Sequence, residues 1–311
     1  MSINLSTSNA DAEQKVSVAR DFEAGYAYDI ILRFSDHGVI NADVSVSDWI
    51  DGGTVDQDAD ASIFYDLSTY GTSNCYHISS ANYGYCFNGT VKGNGNTSLF
   101  GLSQQDVEIS PAYVDILWHD MENCPVRLVS NTLVNGRVLL RVDGNEGSTV
   151  IPDNMEGNVL IAAYDRNPKK DENGNVTDKD ARILWTWHLW LCDPVQEQGY
   201  SNGFIVQDRN LGAKDYIPSG SGENTWGLLY QWGRPTPFRN TKVGDIYNGN
   251  RVSMAEAISN PTVLYGGADE SGGLWLDDPS LAGYLEYLWG YTDDHEDPVK
   301  TIYDPCPQGY R

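Results

Sequence analysis

Ile183-Leu184-Trp185-Thr186-Trp187-His188-Leu189-Trp190-Leu191 is the stretch that decides the fold class. Side chains alternate along a strand, so Trp185, Trp187, Leu189 and Leu191 share one face, and Leu184, Thr186, His188 and Trp190 the other. Both faces carry large apolar groups. That makes this a central strand covered on both sides, not a platform on which sugars stack. His188 is accordingly expected to be hydrogen-bonded inside the core rather than to act as a ligand.

The same signal continues upstream. Asn74-Cys75-Tyr76-His77-Ile78-Ser79, Val114-Asp115-Ile116-Leu117-Trp118-His119, Gly136-Arg137-Val138-Leu139-Leu140-Arg141-Val142 and Gly157-Asn158-Val159-Leu160-Ile161-Ala162-Ala163-Tyr164-Asp165 are short β runs separated by Gly/Asn turns. They predict an antiparallel sandwich of about seven strands, assigned to residues 55–198. Nearer the start, Tyr28–Phe34 and Ile40–Trp49 alternate as strands. Three or four strands within 1–54 are too few for a sandwich of their own, so this segment reads as the last strands of one. Asp56-Gln57-Asp58-Ala59-Asp60 follows as an acidic linker.

Beyond residue 198 glycine and tryptophan rise, strands shorten and loops dominate. Ser253–Ile258 and Leu281–Leu288 are the helix candidates there. The expected fold class is mainly β: antiparallel β-sandwich units (1–54 and 55–198) followed by a loop-rich α+β region, 199–311.

Composition narrows the functions. Of 311 residues, 44 are Asp or Glu against 20 Lys or Arg, a net charge of −24. Such a surface repels a phosphate backbone or an anionic membrane, so nucleic acid is not an expected partner. Hydrophobic content of 40%, with 9 Trp and 19 Tyr, is ample for packed cores. No apolar run approaches the roughly 20 residues of a membrane span. Met1-Ser2-Ile3-Asn4 lacks a basic and then apolar leader, and the strand pattern opens partway through a β unit. A signal and an anchor are therefore expected upstream. The 5 cysteines form no CxxC pair. Cys75 and Cys86 are a candidate disulfide across one hairpin, with buried thiols as the ordinary alternative.

Three motifs carry a resemblance: Val206-Gln207-Asp208-Arg209-Asn210-Leu211-Gly212-Ala213, Gly227-Leu228-Leu229-Tyr230-Gln231-Trp232-Gly233-Arg234 and Cys306-Pro307-Gln308-Gly309-Tyr310-Arg311. Together they resemble the opening two thirds of the Fibrobacter-type major paralogous domain, a module similar to C-type lectins. The order of strands over 74–190 resembles the accessory sandwich that precedes this module in Bacteroidetes surface proteins. Val46-Ser47-Asp48-Trp49 before Asp51-Gly52-Gly53 resembles the end of a fimbrillin-type sandwich. The resemblance implies a pilus-tip-like adhesin at the cell surface or on a fimbrium, binding a glycan or a surface protein without turnover. It also implies that 199–311 is incomplete, since recognition loops follow the Cys-Pro motif in related modules. Neighbouring pilus subunits are a further implied partner, through strand complementation. The 55–198 sandwich is expected to complete itself with its own strands.

Within that frame, Trp226, Tyr230, Trp232 and Arg234 are candidate ligand contacts, against a framework role in packing and loop support. Trp275, alone in the glycine-rich loop 266–275, is the better candidate, because a large aromatic in such a loop has less packing to do. Asp293, Asp294 and Glu296 are weak Ca²⁺ candidates, since neighbouring residues rarely converge on one ion. Asp171-Glu172-Asn173-Gly174-Asn175-Val176-Thr177-Asp178 matches a calcium loop at three positions but has Val176 at the turn glycine, so a polar hairpin tip is expected. No cofactor is expected. Nucleophile-elbow, phosphate-loop, dinucleotide and zinc-helix patterns are all missing, and the 5 histidines show no helical pairing. The expectation is a binding protein and not an enzyme. A structural spacer subunit is the alternative, and a glycan-processing enzyme with two converging carboxylates a more distant one.

Overall fold

A computed structural model describes the backbone of 2–5, 14–17, 26–35 and 38–48, and residues 64–172, 174, 176–201, 205–239, 247–266, 275–290 and 299–310. Near the start, β1 (Ser2–Leu5) pairs antiparallel with β2 (Gln14–Ser17), and β3 (Tyr26–Ser35) with β4 (Gly38–Asp48). The two strands expected at 28–34 and 40–49 lie in β3 and β4, apart from Trp49. The acidic linker at 56–60 lies outside the described residues.

Eight strands then form two four-stranded sheets. The first has the order β5 (Phe64–Asp66), β7 (Tyr83–Asn88), β10 (Arg137–Val142), β9 (Val126–Leu128). The second runs β6 (Cys75–Ile78), β12 (Ile183–Leu191), β11 (Gly157–Tyr164), β8 (Tyr113–His119). The purely antiparallel expectation needs correction. β5 lies parallel to β7 and β6 parallel to β12, so both sheets are mixed. The chain uses β5 at the edge of one sheet and, after a turn, β6 at the edge of the other. In each sheet it meets a strand that runs its own way.

Burial explains the pairing. In β10, Val138, Leu140 and Val142 are buried while Arg137, Leu139 and Arg141 are half-buried, the period-two mark of a strand with one covered face. Phe87 of β7 stacks on Tyr76 of β6 (4.9 Å) and meets Trp187 of β12 edge-on (5.2 Å), so the facing sides of the two sheets share one hydrophobic core. β11 is buried at every position, and β12 at all but Leu184. Trp185, Trp187, Leu189 and Leu191 join the core between the sheets, whereas Leu160 packs with Trp118 and Leu228 on the other side. The central-strand reading of 183–191 holds.

The remaining chain packs on both sides: Leu211 and Leu228 lie against that outer face, while Met254, Trp275, Leu281, Ile302 and Tyr303 join the core cluster of Trp185 and Trp187. It includes the short pairs β13 (Glu197–Gly199) with β14 (Ile205–Gln207) and β15 (Tyr247–Asn248) with β16 (Leu264–Tyr265). Of two short α-helices among the described residues, α1 (Gln104–Val107) lies between β7 and β8; α2 (Met254–Ser259) fulfils one helix expectation, with the Ser253 hydroxyl capping the Glu256 N–H. Leu281–Leu288 is not a helix. Bonds from Tyr284 to Leu281, Tyr287 to Tyr284 and Gly290 to Tyr287 close successive three-residue turns instead. The aromatics there are drawn apart: Tyr284 meets Phe100 edge-on, and Trp289 packs on Trp232. Lys170 and Val176 form an antiparallel bridge, as the hairpin expected there requires, while Asn173 and Asn175 lie outside the described residues. No helix among the described residues is long and apolar enough to cross a membrane.

Candidate functional site

The motif at 206–213 is the hinge of the site. Arg209 and Asp208 form a buried, two-pronged ion pair (2.8 and 3.2 Å), and Arg209 also donates to the Lys214 carbonyl while lying over the Tyr216 ring. The guanidinium holds the Asp208 carboxyl below its usual range. The neighbouring backbone is fastened to the second sheet. The Trp190 indole donates to Ala213 O (2.9 Å), and the Asn158 amide donates to Gly212 O (2.9 Å). Asn158 also donates to both Asp120 oxygens (2.7 Å each) and shares a 2.8 Å hydrogen bond with His188 Nε2. Burial pushes His188 down to about 3, so it stays neutral in this network. Gly227 has a φ of +72, and a β-carbon there would lie 2.6 Å from Leu211 O. Only glycine allows Leu228 N–H to bond that carbonyl (3.0 Å), which closes the loop.

This arrangement leaves a cleft of about 350 Å³ lined by Asp120, Gly212, Ala213, Lys214, Glu223, Asn224, Gly227 and Arg239. Its walls offer two cations, two carboxylates and an amide, together with backbone groups. The Asn224 side chain bonds Ile217 O and Ser219 N–H, so that wall is held in place. Between lining residues Asn224 and Gly227 stands Trp226, 55% exposed at the end of a 3-10 turn. A rigid indole beside preorganised donors and acceptors is what recognition of a sugar ring requires: an apolar face for C–H groups and polar partners for hydroxyls.

The other candidates separate cleanly. Trp232 is 46% exposed, but its ring packs on Trp289 (4.7 Å) and its N–H donates to Leu285 O. Tyr230 is half-buried, and its hydroxyl is enclosed without a hydrogen-bond partner. Arg234 is fully buried. It donates to the carbonyls of Val263 (2.6 Å), Ala257 (2.8 Å), Asn260 (3.3 Å) and Pro261 (3.4 Å), and lies over Phe238, Tyr265 and Trp275. It supports a loop and is shut off from any ligand. Trp275 requires a correction: it is 3% exposed and donates to Trp232 O (2.7 Å), because the Arg234 cation gives it a packing partner that sequence does not reveal.

Cys75 and Cys86 also require one. They lie on β6 and β7 in different sheets, so no hairpin faces them and no disulfide joins them. The Cys192 thiol lies 3.4 Å from His77 Nε2, a pair absent from the sequence reading. Burial pushes that thiol up to about 12, so it is a packed group and not a nucleophile. Asp293, Asp294 and Glu296 lie outside the described residues, among which no cluster of His, Cys, Asp and Glu suits a metal. Asp120, Asn158, Lys214, Glu223, Asn224 and Arg239 were missed. The one signal for them was Asn158, a lone amide in an otherwise apolar strand.

Comparison with known proteins finds no matching family model, and no curated protein or solved structure matches the chain.

Proposed function

We propose that the chain is a glycan-binding surface adhesin of the pilus-tip kind, with a sandwich presenting a lectin-like C-terminal region. The observation that carries this reading is exposed Trp226 beside the polar cleft formed by Asp120, Lys214, Asn224 and Arg239. Binding proceeds without turnover, the indole stacking on a sugar ring while the cleft walls take its hydroxyl groups. Such a protein works outside the cell, held by an anchor. A glycan array probed with the chain and with Trp226→Ala tests it. The expected result is specific binding to one glycan class, weakened about tenfold or more in the variant, or at least about 1.4 kcal/mol. Equal binding by both proteins would place the site elsewhere.

One observation favours the spacer reading. Trp275 is packed inside, so the loop region spends that aromatic on its own core. No binding on glycan and host-protein arrays by the folded chain would decide for the spacer.

A further inference from the structure

We infer, resting on the glycan-binding reading, that the cleft beside Trp226 selects sugars that carry an oxyanion, a carboxylate or a sulfate ester, and that Lys214 and Arg239 are the residues that read it. Two of the polar groups in the cleft are already engaged. The Asp120 oxygens accept from the Asn158 N–H and side-chain amide (2.7 Å each), and the Asn224 side chain bonds Ile217 O and Ser219 N–H. Lys214, Glu223 and Arg239 differ. All three line the cleft, and their side chains make no hydrogen bond or ion pair among the described residues.

Cations are scarce in this chain, and carboxylates are everywhere. There are 44 Asp and Glu for 20 Lys and Arg, and elsewhere Arg127, Arg137 and Arg209 each hold an aspartate: Asp143, Asp66 and Asp208. Two cations left unpaired in one cleft among so many acids are open to an anion from outside. Another cleft with two cations, Lys179 and Arg182, has no aromatic among the residues that line it or between them, so a sugar ring has nothing there to stack on.

The backbone brings both cations to the indole. Lys214 N–H donates to Asn224 O (2.9 Å), and Lys214 O accepts from Arg209 (2.9 Å). Arg239 follows Phe238, whose N–H and carbonyl both bond Leu229 (2.8 and 3.3 Å). The stretch 224–229, which carries Trp226, is thus fastened to Lys214 at one end and to the neighbour of Arg239 at the other. A sugar stacked on the indole meets a cation from each end.

The two cations suit an oxyanion in different ways. The planar fork of Arg239 matches two oxygens of a carboxylate or sulfate, and the Lys214 ammonium adds a point charge. The net charge of −24 repels an anion at a distance, but that field is screened over about 8 Å at physiological salt, and a contact pair is screened far less. Glu223, exposed and unpaired in the same cleft, opposes the anion and holds its affinity down.

An oligosaccharide array tests this, with sialylated, uronic-acid and sulfated sugars each set beside its neutral parent. The probes are the chain, Lys214→Gln, Arg239→Gln, Glu223→Gln and Trp226→Ala. One acidic class should bind at least about tenfold tighter than its neutral parent, and which class it is identifies the oxyanion. Lys214→Gln and Arg239→Gln should each lose about tenfold on that class and nothing on neutral sugars. Glu223→Gln should gain about threefold. Neither cation's side chain bonds anything in the fold, so both variants should melt within roughly 2 °C of the parent, which separates a lost contact from lost folding. Trp226-dependent binding of neutral sugars as tight as of acidic ones would overturn the inference and leave the adhesin reading standing. Acidic-sugar binding that neither cation variant weakens would overturn it too. No binding to any sugar would remove both.

Discussion

The strand-rich stretch 64–191 and the loop-rich stretch 205–310 are held in place by different forces. In the first, backbone ladders set the frame and side chains fill it: Trp185 and Trp187 need no more than alternation to reach the core. In the second, regular structure is sparse, and buried polar side chains take over the backbone groups that strands would satisfy. Arg234 takes carbonyls from the 257–263 loop, Lys300 from the last turn, and Trp232 and Trp275 each hold one more. A sheet tolerates exchange of one apolar side chain for another of similar size. A loop region built on single donors does not, because each donor has a shape no other residue reproduces.

The largest test of that contrast is Trp187→Ala, which removes an indole from between the sheets. It should cost about 3–5 kcal/mol in denaturant unfolding, with 64–191 and 205–310 losing protection together. A local effect confined to β12 would show that the sheets are not one cooperative unit. Next is Arg234→Lys, which keeps the charge and loses the planar fork; about 2–4 kcal/mol is expected, with the fastest new hydrogen exchange at 254–263. If this variant is as stable as the parent, the view of a loop region held by single donors fails.

The third test is pH. His188 has a folded-state value near 3, below the usual 6.5. The unfolded chain therefore binds more protons between those values, and stability from this site is full above about pH 6.5 and declines as pH falls. Between pH 7 and pH 5, the advantage of the parent over His188→Gln should shrink by about 2 kcal/mol. A constant difference would mean that burial does not hold His188 neutral. Smallest in stability is Trp226→Ala, which should change unfolding by less than about 0.5 kcal/mol while weakening glycan capture. A large loss of stability would make Trp226 another framework residue and remove the main support for the cleft.

Much of the first region was legible because period-two alternation is local. The pattern at 137–142 and the doubly apolar run at 183–191 each state which face is covered, whatever the partner. The direction of β5 and β6 was not legible, because parallel or antiparallel pairing depends on which sheet edge the chain reaches. In the second region the framework role expected for Arg234 matches its buried place on the 257–263 carbonyls, while the exposure of single aromatics was not legible. Trp275 in a glycine-rich loop looked available, yet whether an aromatic is exposed depends on what approaches it, here Arg234 from 41 residues earlier in the numbering. Trp226 carries the same sequence signal as Trp232, Tyr230 and Arg234, yet it stands largely in solvent.

By itself the sequence determined a mainly β chain with a central tryptophan strand, a net charge of −24, and a loop-rich second half. These follow from side-chain periodicity and from counting charges, both of which are properties of neighbours along the chain. Tertiary structure alone decided the mixed sheets, the Asn158 and His188 network, the enclosure of Arg234 and Trp275, and the cleft beside Trp226. Each of those depends on groups that meet only after the chain has folded back on itself, and a buried hydrogen bond leaves no periodic mark in the residues that make it.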